Sequence, residues 1–405
     1  MRHRLPGHVD RLRTWFTPFF ASPTFRDDAE PGKHIIAGLI SEMASGLANL
    51  VTVPSIDGDS ETENRIQEAV RRSLRLSPLD AGQEIAVTSE NTGGTRVFQV
   101  GGLVAQGTDG VAFQVTDLET NSHRVLKGFV MRAPETERQI TERIIRLGRV
   151  LQKSWRRMSA DDALTKLRFL APQDFVRFAE ADDPFLVVGI VPNAFFVYPH
   201  PATSLDRVLL VMREDERVRT SAGARLLLLS ATTQVIRLAA CYHTLGLVHG
   251  HLHPGSFFVS EDGRLLLGSS RDVYQQGGTY DTVRHRSMLA APEFTSHRFT
   301  YTYGYDSWQL GVILYYLWCG QYPHGLGQSS SVPHADSSTE LSFSSRDCLF
   351  APVPSPVQNL IQAFLQRSRW RRVLARKAFS SEDYKRVVAA TLELVGELES
   401  DPGSQ

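Results

Sequence analysis

The stretch HGHLHPGSFF, residues 249–258, follows one long apolar segment and leads into two short ones. Residues 226–245 are strongly apolar and predict a core helix, with Gly246 as its C-terminal stop. Apolar runs at residues 257–259 and 265–267 predict a pair of short strands. The sequence therefore predicts a loop rich in His, Pro and Ser, fixed between a core helix and a hairpin.

Three histidines alternate in this loop, at His249, His251 and His253. Such spacing can present imidazole nitrogens to zinc or copper from one face of a strand. No cysteine or carboxylate set nearby completes a four-ligand site, so we expect no metal here and interpret His249 as a structural loop residue.

Composition is that of a soluble globular protein. The chain has 405 residues, of which 42% are hydrophobic and 22% charged, and its formal net charge is zero. This balance argues against nucleic acid as a partner. We find no apolar run that predicts a bilayer span, and no signal peptide is visible.

Residues 1–20 combine basic and aromatic side chains. Val9, Leu12, Phe16 and Phe19 fall on one helical face, a pattern that permits an interfacial helix on an anionic membrane. A short helix packed on its own domain, or a disordered lead-in, fits the same residues equally well.

Strand patterns precede helical patterns along the chain. Residues 84–130 alternate between apolar and polar among glycine-rich turns, which predicts antiparallel strands, and residues 185–198 are again strand-like. Helical periodicity marks residues 135–155 and, after Pro199, most of the remaining chain. We therefore expect an α+β architecture of two lobes. Its parts are an N-terminal, partly helical extension (1–80), a β-rich N-lobe (81–199) and a helical C-lobe (200–405).

The N-lobe contains a glycine-rich hairpin followed by a strand lysine. Gly107 and Gly110 flank the turn, where absent side chains let the backbone approach phosphates. Asp109 at the tip would repel a triphosphate. Taken alone, this segment is more simply an ordinary hairpin turn, and Lys127 a strand lysine with its ammonium in water.

Several motifs in order resemble those of protein kinases. They are the glycine-rich hairpin, Lys127, the 249–258 loop, the Ala-Pro-Glu triplet ending at Glu293, the Asp306-Ser-Trp-Gln-Leu-Gly helix and Arg372. The resemblance implies a two-lobed protein kinase-like fold. It also implies that Lys127 faces nucleotide phosphates and Glu142, that Asp306 braces the loop, and that Arg372 pairs with Glu293.

The positions that carry kinase chemistry are degenerate. His251 stands where the family has its catalytic Asp, Ser256 where it has the Asn that binds magnesium, and Ser269 where the metal-binding Asp belongs. Asp272 comes three residues too late. A hydroxyl in place of a carboxylate removes most of the attraction for a hard cation. We expect no catalytic residue, no metal and no cofactor; Lys127 leaves room for weak ATP binding at most.

The C-lobe is similar to the rhoptry kinase family of apicomplexan parasites, most of all to its pseudokinase members. The match spans about residues 80–400 and rests on residues 234–240, 246–249, 306–311, 315–319, 347–348 and 364–365. Cys319 and Cys348 flank a Ser-rich loop that they could close in a secreted protein; the resemblance implies that they form a disulfide. It also implies release from the rhoptry toward the host or the parasitophorous vacuole, and a role in virulence.

These observations predict a secreted pseudokinase that serves as a scaffold or allosteric regulator of an active kinase or a host defence protein. An atypical active kinase with a remodelled metal site, using His251 as a base, is the first alternative. A membrane-surface structural protein, attached through residues 1–20, is the second.

Overall fold

The computed structural model describes residues 30–43, 47, 79–107, 110–129, 142, 146, 149–150, 159, 163–178, 195–268, 273–281, 289–294, 298–323 and 341–400. The predictions made for residues 1–20, Asp109, Ser269, Asp272 and most of 135–155 lie outside these ranges. The two-lobed α+β fold with a helix in the N-terminal extension is confirmed.

The small lobe is a closed antiparallel barrel in the order β1-β2-β3-β4-β7-β6. Its strands are β1 (Glu84–Ser89), β2 (Thr95–Gly107), β3 (Gly110–Asp117), β4 (Ser122–Phe129), β6 (Asp174–Phe178) and β7 (Phe195–Pro199). In β1 exposed and buried side chains alternate, as a strand with one face in the core requires. The alternating apolar residues fill the barrel, among them Val87, Phe98, Val115, Leu126 and Val197.

One arginine ties three strands of the barrel together. Arg96 donates to Asp174 at 2.8 Å and to Asp117, which lies at the end of β3. Burial by itself would raise the pKa of Asp117, but the hydrogen bonds from Arg96 and from the backbone of the following turn bring it below its ordinary value. That turn reverses through Asn121, whose φ of 50° suits asparagine better than most residues.

The large lobe is mainly helical. It contains α2 (Leu205–Glu214), α3 (Glu216–Thr220), α4 (Ala222–Thr244), α5 (Tyr303–Cys319), α6 (Ser355–Phe364), α7 (Ala375–Phe379) and α8 (Glu382–Ser400). Ser221 caps α4 by accepting from the Ala224 amide at 3.0 Å, and Gly246 follows its end with φ 75°. By length and composition α4 could cross a membrane, but 94% of its apolar window is buried inside the protein.

A four-stranded sheet packs in the large lobe. Its order is β5 (Phe169–Leu170), β11 (Leu265–Gly268), β10 (Phe257–Val259) and β8 (Thr203–Ser204). β5 belongs to the chain range predicted for the N-lobe, yet it pairs in parallel with β11, and Phe169 packs in the large-lobe core. The predicted block 81–199 is therefore interrupted, because a single apolar run does not reveal which core will bury it. Two small antiparallel pairs complete the β structure: β9 (Leu247–Val248) with β12 (Tyr274–Gln275), and β13 (Thr279–Asp281) with β14 (Arg298–Thr300).

The N-terminal extension is part of the large lobe where it is described. Helix α1 (Lys33–Glu42) buries Ile36, Leu39 and Ile40 in the same core as α4. Just before it, Glu30 accepts from Arg168 at 2.8 Å, and both side chains are almost fully buried. This ion pair joins residues far apart in sequence, and neither residue stands out in the sequence.

The cysteines divide into one pair and one single residue. The sulfur atoms of Cys319, at the end of α5, and Cys348 lie at disulfide distance, and both residues are buried. Cys241 is free and buried in α4, and burial raises the pKa of its thiol to about 12. Cys241 therefore acts as a small apolar side chain.

Candidate functional site

The 249–258 loop is fixed by the first turns of α5. Asp306 is completely buried, and its carboxylate accepts from the amides of His249 and Gly250, each at 2.8 Å. His243 Nε2 lies 2.9 Å from the same carboxylate. One turn further along α5, Gln309 accepts from the Leu252 amide at 2.9 Å. The side chains of α5 thus satisfy backbone donors that would otherwise be buried without partners.

Gly250 is required by two features of this bend. Its φ is 73°, in the left-handed region. A Cβ atom at this position would lie 2.5 Å from the ring of Tyr274. The loop can therefore close against the aromatic segment only with glycine here.

His249 links the loop to the strand that precedes Ser269. Its Nε2 lies 3.1 Å from the carbonyl oxygen of Gly268, the last residue of β11, and the ring is buried. Burial lowers the pKa of His249 to about 4, so the imidazole is neutral at physiological pH and Nε2–H donates to the carbonyl. This places His249 in a structural role, as expected from its position in the loop.

The two degenerate positions in the loop are held by the loop itself. Ser256 Oγ donates to the carbonyl oxygen of His251 at 2.9 Å and accepts from the His253 amide at 3.3 Å. The rings of His251 and His253 lie 5.0 Å apart. The Ser256 hydroxyl is thus used to close a short helical turn, Pro254–Ser256, rather than offered as a charged ligand.

These residues do not fit a magnesium ion. Magnesium prefers carboxylate oxygens and phosphate, whereas the loop offers a neutral hydroxyl that already has both a donor and an acceptor. Among the residues the structure describes, no group of three His, Cys, Asp or Glu side chains is arranged to hold a metal. Ser269, the third degenerate position, lies outside them.

The small-lobe residues for which we predicted a role toward nucleotide lie in strands β2, β3 and β4. Gly107 and Gly110 pair across the β2–β3 hairpin, and Lys127 lies in β4 opposite Ala112 and Phe196. Lys127 Nζ lies 4.8 Å from the centre of the Phe129 ring. The pairing of Lys127 with Glu142, and the role of both toward phosphate, stay predictions.

Glu293 and Arg372 form a bidentate ion pair at 2.7 and 3.0 Å. Arg372 also donates to the carbonyl oxygen of Gly304 at 2.8 Å, and its guanidinium lies over the ring of Trp308. The planar guanidinium suits this combination of carboxylate, carbonyl and ring contacts. The pair joins the segment before α5 to the loop after α6.

An arginine that the sequence did not single out reaches the segment after β11. Arg146, in the region predicted as helix 135–155, donates to the carbonyl oxygen of Val273 and lies 3.3 Å from the Tyr280 hydroxyl. Tyr280 belongs to an aromatic cluster in which Tyr274 and Tyr301 stack at 3.5 Å. The many tyrosines between residues 274 and 305 are a signal in the sequence that could have predicted the cluster. No feature of the sequence indicates the contacts of Arg146.

Comparisons with known proteins agree with this geometry. A family model described as kinase-like matches residues 85–372. The chain is 27% identical over 304 residues to the serine/threonine-protein kinase ROP18 of Toxoplasma gondii, covering 73% of this chain and 52% of that protein. It is 29% identical over 236 residues to rhoptry protein 4 of the same organism, covering 54% and 38%. The chain thus spans about half or less of the length of these relatives.

Two solved structures share the fold. A ROP18 kinase domain in complex with AMP-PNP and sucrose superposes with a TM-score of 0.70 at 22% identity, covering 93% of this chain and 99% of that one. ROP2 from Toxoplasma gondii, described as a virulence factor with a protein-kinase fold and no enzymatic activity, superposes with 0.67 at 21% identity, covering 91% and 98%. The fold is therefore shared by one protein described as a kinase and one described as inactive.

Proposed function

The chain belongs to the kinase-like family, and we propose that it is a catalytically inactive relative of the rhoptry kinases, a pseudokinase that works as a scaffold or allosteric regulator. The observation that carries this proposal is the hydrogen bonding of the Ser256 hydroxyl. Its hydroxyl closes the 254–256 turn through His251 and His253, at the position where an active kinase presents a magnesium ligand.

The residue types needed for phosphoryl transfer are replaced, whereas the groups that hold the kinase-like fold together are retained. Asp306 still braces the loop backbone, and the Glu293–Arg372 pair is formed. Breaking a buried charge pair from one side costs about 3–5 kcal/mol. The fold retains these groups while His251 replaces the catalytic base. This suits a protein that binds a partner through its surface rather than one that catalyses a reaction in its cleft.

The relatives suggest where such a protein acts. Rhoptry kinases of Toxoplasma gondii are similar over most of this chain, and ROP2 is described as a virulence factor without enzymatic activity. We propose secretion through the rhoptry, with an active kinase or a host defence protein as the partner. A paired Cys319 and Cys348 is consistent with an oxidising secretory route.

An active kinase is the second candidate, and two observations favour it. Relatives named serine/threonine-protein kinase ROP18 and ROP17 match the chain. Lys127 also lies in the strand where the family has its phosphate-binding lysine. In this case His251 would act as the base.

Phosphoryl transfer by the full purified chain distinguishes the two. Wild type, Lys127→Ala and the triple variant His251→Asp, Ser256→Asn, Ser269→Asp are incubated with labelled ATP, magnesium and a general protein substrate. We expect wild type and Lys127→Ala to give the same background. Incorporation by wild type that Lys127→Ala abolishes would establish an active kinase and end the pseudokinase proposal. Gain of activity in the triple variant would show that replacement of the catalytic residues at those three positions is the only reason for inactivity.

A further inference from the structure

The loop between α6 and α7 exposes an aromatic side chain among positive charges. Trp370 is 83% exposed, the largest value among the exposed large apolar side chains that the structure describes. Residues 366–381 contain no Asp or Glu, and their basic residues are Arg367, Arg369, Arg371, Arg372, Arg376 and Lys377. We call Arg369, Trp370 and Arg371 the basic tip.

The fold imposes this exposure. Arg372, buried beneath the basic tip, donates to the carbonyl oxygens of Gln366 at 3.0 Å and Arg367 at 3.3 Å while it pairs with Glu293. The amides of Arg371 and Arg372 both donate to the Ser368 carbonyl oxygen, at 3.0 and 3.1 Å. The backbone is thus fixed on both sides of Trp370, so the ring is presented by a rigid turn.

Residues 366–381 supply no acidic side chain of their own to balance this positive charge. Arg372 is paired with Glu293, and the Arg369 guanidinium lies 4.4 Å from the Trp370 ring. The next acidic residues have other contacts: Glu382 is 3.6 Å from Lys385, and Asp383 accepts from Asn359 at 3.1 Å. Local positive charge therefore stands out in a chain whose formal net charge is zero.

We propose that the basic tip binds the surface of an anionic membrane. Indole rings favour the level of the lipid headgroups because they are apolar with one polar N–H, and arginine and lysine are attracted to anionic lipids. A projecting aromatic residue can enter a deformable headgroup layer, whereas a protein partner would need a pocket shaped for it. This contact is separate from any made by residues 1–20.

Vesicle flotation with the full chain tests the proposal. Wild type, Trp370→Ala and the double variant Arg369→Gln, Arg371→Gln are mixed with phosphatidylcholine vesicles, with or without phosphatidylserine. All three changed side chains are exposed, so the fold should tolerate them. Leu118→Ala is the matched control, because Leu118 is 42% exposed on a turn and the five residues on either side of it in the sequence include no Lys or Arg.

We expect wild type and Leu118→Ala to float only with phosphatidylserine, and less so in high salt because the attraction is screened. The double variant should bind roughly tenfold or more weakly, since each basic residue near the surface contributes about a factor of five. Trp370→Ala should weaken binding severalfold.

Three results would overturn this assignment. Equal binding by every variant would place the lipid contact elsewhere, for example in residues 1–20. Loss of binding to polyglutamate, an anionic polypeptide, by tip variants that still bind vesicles would show that the tip does not serve an anionic membrane. Failure of wild type to bind vesicles at all would show the same.

Discussion

His249 makes the stability of the loop depend on pH. Its neutral ring is buried with Nε2 against the Gly268 carbonyl, and burial lowers its pKa to about 4 from an ordinary value of 6.5. The unfolded chain therefore takes up the proton first as pH falls. The stability contributed by the neutral ring is complete above pH 6.5 and is lost as pH falls toward 4.

The loss should amount to about 3 kcal/mol at most. Urea unfolding of wild type at several pH values between 7.5 and 5 measures it against His249→Gln, whose amide can still donate to Gly268 but does not titrate. We expect a flatter pH profile in His249→Gln. His34→Gln is the control, because His34 is largely exposed. Parallel profiles for wild type and His249→Gln would show that this ring is not the titrating group.

Residue roles were predictable where a local motif carries them. Asp306 and Arg372 were predicted as structural groups from the motifs around them; in the structure Asp306 accepts from the His249 amide and Arg372 donates to Glu293. Arg168 and Arg146 were not identified, because their partners lie 138 and 127 residues away and no local pattern links them. Ser256 was identified as a substitution, but its use in closing the 254–256 turn follows only from the geometry.

At the scale of elements, helix α1 is attached to the large lobe by a buried ion pair as well as by apolar contacts. Removing one partner leaves a buried charge, which costs about 3–5 kcal/mol. We therefore expect Glu30→Ala to destabilise the protein by about that amount in urea unfolding, because the buried Arg168 guanidinium loses its carboxylate partner at 2.8 Å. Its contact with Gln234 at 3.2 Å is to a neutral amide and does not replace that charge.

The double variant Glu30→Leu, Arg168→Met should recover part of this stability, because it removes both charges. Glu90→Ala provides a surface control, since its pair with Arg177 is partly exposed and worth less than about 1 kcal/mol. If Glu30→Ala unfolds like Glu90→Ala, the Glu30–Arg168 ion pair does not contribute to stability.

The order of strands and helices followed from periodicity, but their packing did not. Strands β1 to β4 and β7 fall in or at the ends of the ranges where alternation predicted strands, and α4 falls in the apolar segment predicted as a core helix. Helices α5, α6 and α8 lie in the part after Pro199 that was predicted to be mostly helical, whereas strand β6 was not predicted. The docking of α1 and of β5 on the large lobe depends on contacts with α4 and β11, which are far away in the sequence. Periodicity shows that an element has an apolar face, and leaves open which neighbour covers it.

At the scale of the whole molecule, the hydrophobic cores of the barrel and of the helical lobe suggest two units of stability. The barrel core, with Phe98, Val115 and Leu126, is separate from the helical core around α4. Smaller cores bury less apolar surface, and they open at lower free energy. We expect hydrogen exchange in β1 to β4 to precede exchange in α4 and α5.

Helix α1 provides the internal control for this measurement. Although it precedes the barrel in sequence, it should exchange with α4, because it packs in the large-lobe core. Exchange of α1 together with the barrel, or simultaneous exchange of barrel and helices, would contradict two separate units.

The pairing of Cys319 with Cys348 has a consequence for the protein when it moves between redox compartments. Both residues are buried, so glutathione can reach the sulfur atoms only after local opening. A disulfide formed in an oxidising secretory compartment would therefore be reduced only slowly after passage into reducing surroundings, and the protein would keep the cross-link with which it folded. Protein prepared in a reducing cytosol would have the same sequence without the disulfide.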